Sequence, residues 1–235
     1  MEIPDKFFNI LTPLLIGTTY LSAFEGGKPT CQRFLINNFL YLLTSFSIYF
    51  TAMKVYKEEN IILERNQTIL LSLSLLVLIL MFLFTENQVY RHIIWLCMLL
   101  IIAYIEKEFL KTLDEGVIED TTKKMMIIIV ICAIIALKFP HLIKPSLGYI
   151  LGSGLLFVIL FRIIDTFFLN RKYHDMISSI AVFLFSGFII YDTNGVMQVA
   201  RECTVTGGRP DYLENMIDMF LNVINLFNNL ADVLD

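Results

Sequence analysis

Charge is scarce in this chain. Asp, Glu, Lys and Arg make up 17% of its residues, against about 25% in soluble domains, so a water-facing globule fits it poorly. Basic clusters are missing as well. With a formal net charge of -4, the chain has no electrostatic footprint for nucleic acid. The histidines and cysteines form no CxxC or HxxxH pattern, which removes the usual zinc and redox signatures. Cys31, Cys97, Cys132 and Cys203 have no paired spacing; Cys97 and Cys132 lie in apolar stretches and read as small core residues. No Gly-rich phosphate loop, nucleophile elbow, internal repeat or low-complexity tract is present.

What the chain does have is long apolar blocks. Hydrophobic residues reach 57% and the mean hydropathy is +0.70. Most blocks approach the ~20 residues that cross ~30 Å of hydrocarbon as a helix. They fall at 34–55, 68–85, 92–104, 125–137, 147–169, 176–192 and 212–234. The pattern predicts an all-α integral membrane protein, a bundle of seven transmembrane helices. Blocks 92–104 and 125–137 are short and extend into flanks where Lys107, Lys111, Lys123 and Lys124 can snorkel.

A weaker block, 7–24, contains Pro13 and Gly17 and reads as an extra N-terminal interfacial helix, with an eighth span or a cleaved signal as alternatives. The expected organisation is therefore an N-terminal segment, 1–33, and a membrane domain, 34–235. For seven spans, eight Lys and Arg residues fall on one side of the membrane and nine on the other, so loop charge does not orient the protein.

The C-terminal end is the most informative region. The apolar run FLFSGFII (183–190) stops on Tyr191-Asp192-Thr193. The last block and the residue before it carry Asp211, Glu214, Asp218, Asn222, Asn225, Asn229 and Asp232 at steps of three or four, which puts them on one helical face. Such a seam on an apolar helix faces a bundle interior or water and marks an ion or proton path. It can also act as hydrogen-bonding glue between helices, or belong to an amphipathic surface helix, although those are usually rich in Lys and Arg. Asp192, at the end of its block, reads either as a solvated helix-end carboxylate or as a pathway group. Arg162 and Asp165 lie three apart within one block and are expected to pair on one face, as a self-neutralised structural pair or as part of the path. Gly152-Ser153-Gly154 reads as a close-packing patch.

These residues resemble a known family. LGYILGSGLLFVILFRIIDTFFLNRKYHDMISSIAVFLFSGFIIYDT (147–193) looks like the fifth and sixth spans of the Bax inhibitor-1 (transmembrane BAX inhibitor motif) family, and FSGFIIYDT (185–193) is the specific part. IDMFLNVINLF (217–227) is similar to the family's seventh segment, and 119–139 stands where the fourth span is expected. The first hundred residues match only as a pattern of apolar blocks. The resemblance implies a seven-helix bundle with two buried aspartates that share a proton and gate a pH-sensitive calcium leak. It also implies residence in endoplasmic reticulum or Golgi membranes and restraint of apoptosis; some viruses carry homologues.

Carried over by position, the first aspartate is Asp192 and the second falls on Asn222, which is not an acid. Asp218, one turn earlier on the seam, is the acid that could take its place. The second span, 68–85, lacks the arginine that bacterial relatives place opposite the first aspartate, and Arg162 is the arginine well inside a span. The connection at 203–210 is long for the family. The chain therefore reads as a divergent member.

The expectation is a cation and proton pathway lined by Asp192, Asp218, Asn222 and Asn225, with Ca²⁺ as the transported ion and no cofactor or bound metal. Partners are the lipid bilayer and, in the alternative reading of a non-conducting regulator, calcium channels or cell-death proteins. An enzyme is not expected. Carboxylate-pair hydrolysis needs both acids, and no Ser/His or metal cluster lies in the spans. The absence of repeated Gly/Pro breaks argues against a secondary transporter.

Overall fold

The computed structural model describes residues 5–25, 28–31, 33–58, 65–206 and 211–235. Helices dominate: α1 (Asp5–Ala23), α2 (Phe34–Glu58), α3 (Arg65–Phe84), α4 (Gln88–Thr112), α5 (Glu115–Lys138), α6 (Pro145–Phe168), α7 (His174–Thr206) and α8 (Tyr212–Leu234). A minimal antiparallel hairpin of β1 (Phe24–Glu25) and β2 (Lys28–Pro29) joins α1 to α2. Among the described residues four helical stretches are long and apolar enough to cross a membrane: Phe34–Tyr56, Gln67–Phe84, Pro145–Phe168 and His174–Cys203. Helices α4, α5 and α8 have the length, at 25, 24 and 23 residues, but their charged turns or polar seam dilute them. Composition thus supports four of the seven expected crossings.

The chain forms two compact units. The first comprises Met1–Thr112 and Glu202–Ile217. In it α1 runs antiparallel along α2 through a ladder of hydroxyls and one amide. Thr12 Oγ1 lies 2.6 Å from Ser47 Oγ and 3.0 Å from Thr51 Oγ1. Thr19 Oγ1 lies 2.8 Å from Thr44 Oγ1, and Ser22 Oγ donates to Asn37 Oδ1 at 2.6 Å. The expected interfacial helix is therefore laid against α2, because its small polar residues find partners there.

Elsewhere in this unit, Tyr41 Oη and His92 Nε2 are 2.9 Å apart, and Trp95 Nε1 donates to Ser45 Oγ at 3.3 Å. Helix α3 packs on α4 and turns Leu70, Leu73, Leu76 and Leu80 outward, a surface suited to lipid. Asp211 departs from the expected seam. It caps α8, accepting the Glu214 N–H on Oδ1 at 3.1 Å, and its other oxygen pairs with Arg91. A disulfide joins Cys31 to Cys203, with 5.6 Å between their Cα atoms; their separation of 172 residues gives it no spacing signal. Cys97 and Cys132 are free thiols, half-buried and buried respectively.

The second unit comprises Leu113–Arg201 and Asp218–Asp235. Helices α6 and α7 pack antiparallel through glycine. A Cβ at Gly148 would stand 2.9 Å from the Tyr191 ring, one at Gly154 2.8 Å from Leu184, and one at Gly187 2.7 Å from Leu151. The Gly152-Ser153-Gly154 patch is only partly an interface, since Gly152 faces open space and Ser153 is exposed. The turn between α6 and α7 holds Asn170 and Arg171 at positive φ, 51° and 60°. Asp165 organises it, accepting the Tyr173 N–H on Oδ1 at 2.9 Å, while its backbone carbonyl takes the Arg171 N–H at 2.9 Å.

Two outcomes test this packing. Gly148→Ala forces the rigid Tyr191 ring aside and lowers stability by about 1–3 kcal/mol. Gly152→Ala meets nothing and raises stability by about 0.5–1 kcal/mol through helix propensity; thermal unfolding in detergent measures both. Cys203→Ser abolishes the mobility difference between reducing and non-reducing gels and lowers stability by about 2–4 kcal/mol.

Candidate functional site

Helix α7 does not end where its apolar run ends. It continues from His174 to Thr206, 33 residues, or about 50 Å at 1.5 Å per residue. Asp192 therefore lies near the middle of a continuous helix and is half-buried. The expectation of a solvated helix-end carboxylate is overturned, because the residues after Thr193 keep the helix going despite their polarity.

On α8 the large apolar residues Leu213, Met216, Phe220 and Leu226 are almost fully buried. The seam from Asp218 to Asp232 takes the remaining face. Its burial is graded: Asp218 is exposed, Asn222 and Asn225 are half-buried, and Asn229 is buried. This face borders a cavity of about 570 Å³ between α6, α7 and α8 of the second unit. Asp192, Asp218, Asn222 and Asn225, the four pathway candidates, all line it, together with Tyr191, Arg162 and Asn229 and apolar residues such as Leu155, Val158 and Phe185.

At its centre Asn222 Nδ2 donates to Asp192 Oδ2 at 2.6 Å. The amide thus meets the carboxylate at the position that family alignment marked for a second acid. Asn225 Nδ2 donates to the Leu221 carbonyl at 2.8 Å, and Asn229 Nδ2 to the Asn225 carbonyl at 2.7 Å. Each back-bond engages an amide N–H within α8, and Asn229 Oδ1 accepts from Arg162. The seam beyond Asn222 thus carries the side-chain oxygens of Asn225, Asn229 and Asp232 as potential acceptors.

The expected Arg162–Asp165 pair is not formed. Arg162 Nη2 donates to Ser178 Oγ and to Asn229 Oδ1, both at 2.8 Å, and lies 3.7 Å from Asp232 Oδ2. Asp165 is buried in the turn, held by the Tyr173 N–H. The reason is local. Three residues apart on one helix, the two side chains meet different surroundings, an acceptor row on α8 for Arg162 and an unpaired backbone N–H for Asp165. Ser178 and His174 join this cluster without a sequence signal. Ser178 Oγ donates to Asp232 Oδ2 at 3.1 Å, and His174 Nε2 lies 3.3 Å from the same oxygen. Among the described residues no three His, Cys, Asp or Glu side chains are grouped to hold a metal.

Comparison with known proteins agrees with the resemblance in the sequence. An "Uncharacterized membrane protein" of Vibrio cholerae serotype O1 is 36% identical over 84 residues, 36% of this chain and 34% of that protein. The chain thus matches about a third of the length of that relative. Residues 31–235 match the family model described as "Inhibitor of apoptosis-promoting Bax1". That match takes in every helix from α2 to α8, including the cavity and its polar seam, and the chain belongs to the Bax inhibitor-1 family.

Proposed function

We propose that this protein is an anti-apoptotic membrane regulator that works by leaking Ca²⁺ through the cavity beside α8. The observation that carries the reading is the Asn222–Asp192 hydrogen bond at 2.6 Å inside a cavity also lined by Asp218 and Asn225. Hard cations such as Ca²⁺ take carboxylate and amide oxygens as ligands. Asp218 brings a carboxylate at the exposed part of the seam, and Asn225 a side-chain amide lining the cavity. Asp192 is the acid a cation would reach next, once it displaces the Asn222 amide. Intramembrane carboxylates on a wet seam mark such paths in membrane proteins generally.

The gating differs from that of a shared-proton pair. Two facing carboxylates hold one proton between them and repel once both ionise. Asn222 donates to Asp192 whether or not Asp192 carries a proton, so the contact stays attractive and pH has less leverage. The Cys31–Cys203 disulfide suits an oxidising lumen such as that of the endoplasmic reticulum. In that membrane the Cys203 end of α7 is lumenal, and the His174 end, about 50 Å away along the helix, is cytosolic.

The test is Ca²⁺ flux into proteoliposomes of the purified chain from acid to neutral pH. The wild type conducts, Asp192→Asn removes the flux, and Asn222→Asp steepens its pH dependence by restoring a second acid. An unchanged pH profile in Asn222→Asp would overturn the gating account. No flux from folded protein at any pH would replace conduction with regulation through calcium channels or cell-death proteins.

A further inference from the structure

The cavity holds a cation of its own. Arg162 lines it alongside Asp192, Asp218, Asn222 and Asn225, and its guanidinium touches Asn229, two turns of α8 beyond Asn222. Seven residues at 1.5 Å put that contact about 10 Å further along the seam. A cation moving from Asp192 along the acceptor row towards the C-terminal end of α8 therefore meets a positive charge at Asn229.

The way Arg162 is held matters. A structural arginine usually engages a carboxylate through two parallel N–H bonds. Here a single nitrogen, Nη2, makes the contacts to Ser178, Asn229 and Asp232, and the Asp232 contact is long at 3.7 Å. Nε is buried with no partner among the described residues. Asp232 is shared, since the same Oδ2 also accepts from Ser178 and lies 3.3 Å from His174. The guanidinium is thus fixed at one tip by a divided carboxylate, an arrangement that can release it by rotation of the arginine side chain alone.

We propose that Arg162 is a tethered-cation gate, closing the cavity at its Asn229 end until it swings away from Ser178, Asn229 and Asp232. The inference rests on the conduction reading above and adds a second control point, separate from the Asp192–Asn222 contact. It gives the pathway a barrier that pH-insensitive pairing at Asn222 would otherwise leave it without.

The experiment is Ca²⁺ flux in proteoliposomes of the full chain, comparing wild type with Arg162→Lys, Arg162→Gln, Arg162→Gln/Asp232→Asn and Arg162→Gln/Asp192→Asn. Each protein is first checked for a monodisperse peak and unchanged helical circular dichroism. The double change at 162 and 232 removes both charges together, so it leaves no lone buried ion and carries the test if Arg162→Gln does not fold. The gate predicts about ten-fold or more faster flux once the positive charge is gone, abolished again by Asp192→Asn, with Arg162→Lys close to wild type. A merely structural arginine predicts lower stability with flux unmoved. Asp192-dependent flux that is equal in wild type and in the charge-removed variants overturns the gate and leaves conduction standing. Absence of flux in wild type and every folded variant overturns conduction, and the gate with it.

Discussion

An apolar helix bundle leaves a carboxylate or an amide without a partner only at a cost, and α8 carries five such groups on one face, at 218, 222, 225, 229 and 232. In water each would be satisfied by solvent. Away from water an unmade hydrogen bond costs about 1–3 kcal/mol, more for a charged group. That constraint dictates what α6 and α7 must present to α8 in the second unit. Asp192 from α7 takes the Asn222 amide, Arg162 from α6 takes the Asn229 carbonyl, and Ser178 from α7 takes Asp232. Asn225 and Asn229 satisfy their N–H groups within α8. The glycines of α6 and α7 let the helices approach closely enough for these contacts; at Gly148 the Tyr191 ring, next to Asp192, occupies the space a side chain would fill.

The first unit meets the same constraint largely with neutral groups, the buried Asn38 amide being left without a partner among the described residues. Thr12, Thr19, Ser22, Asn37, Thr44 and Ser47 pair across α1 and α2, and each such contact is modest, near 1 kcal/mol. A charged contact, Arg91 with Asp211, sits where α8 begins. There Asp211 also complements the partial positive charge of the helix N-terminus. Neutral hydroxyl pairing builds an interface that does not depend on protonation, whereas several contacts around the cavity involve ionisable groups. The candidate site lies in the second unit.

Much of the site was legible in the sequence because it rests on helical periodicity. The alternating three and four steps on α8 locate one face without knowledge of the neighbours, and Asp218, Asn222 and Asn225 do share a cavity with Asp192. What was not legible depends on partners far apart in the chain. Arg162 and Asp165 look like a pair by spacing, yet the first is drawn to α8 and the second to the Tyr173 N–H in the following turn. The extent of α7 was missed because the apolar run stops at Ile190, while helix formation needs only backbone geometry and continues through polar residues to Thr206. The Cys31–Cys203 bond joins residues whose proximity depends on the whole first unit. At the ends of the missed segments lie residues 207–210, part of the long connection noted in the sequence, which fall outside the described residues.

The amide at position 222 has a consequence for every control mechanism available to this cavity. A carboxylate there would make the contact with Asp192 bistable, attractive with one shared proton and repulsive with none. An amide makes it attractive in both states. A path closed by that contact alone would lack a trigger, so opening has to come from something that competes for Asp192 or from a charge that moves elsewhere along the seam. A divalent cation entering past Asp218 can compete for Asp192, because its charge outweighs one neutral N–H donor. In the proposed gate the moving charge is Arg162, which is held at one nitrogen by groups that already have other partners. In the proposed reading, an amide in place of a second acid and an arginine held at one nitrogen are thus two sides of one electrostatic arrangement, in which control would rest with the position of a guanidinium rather than with protonation at Asp192.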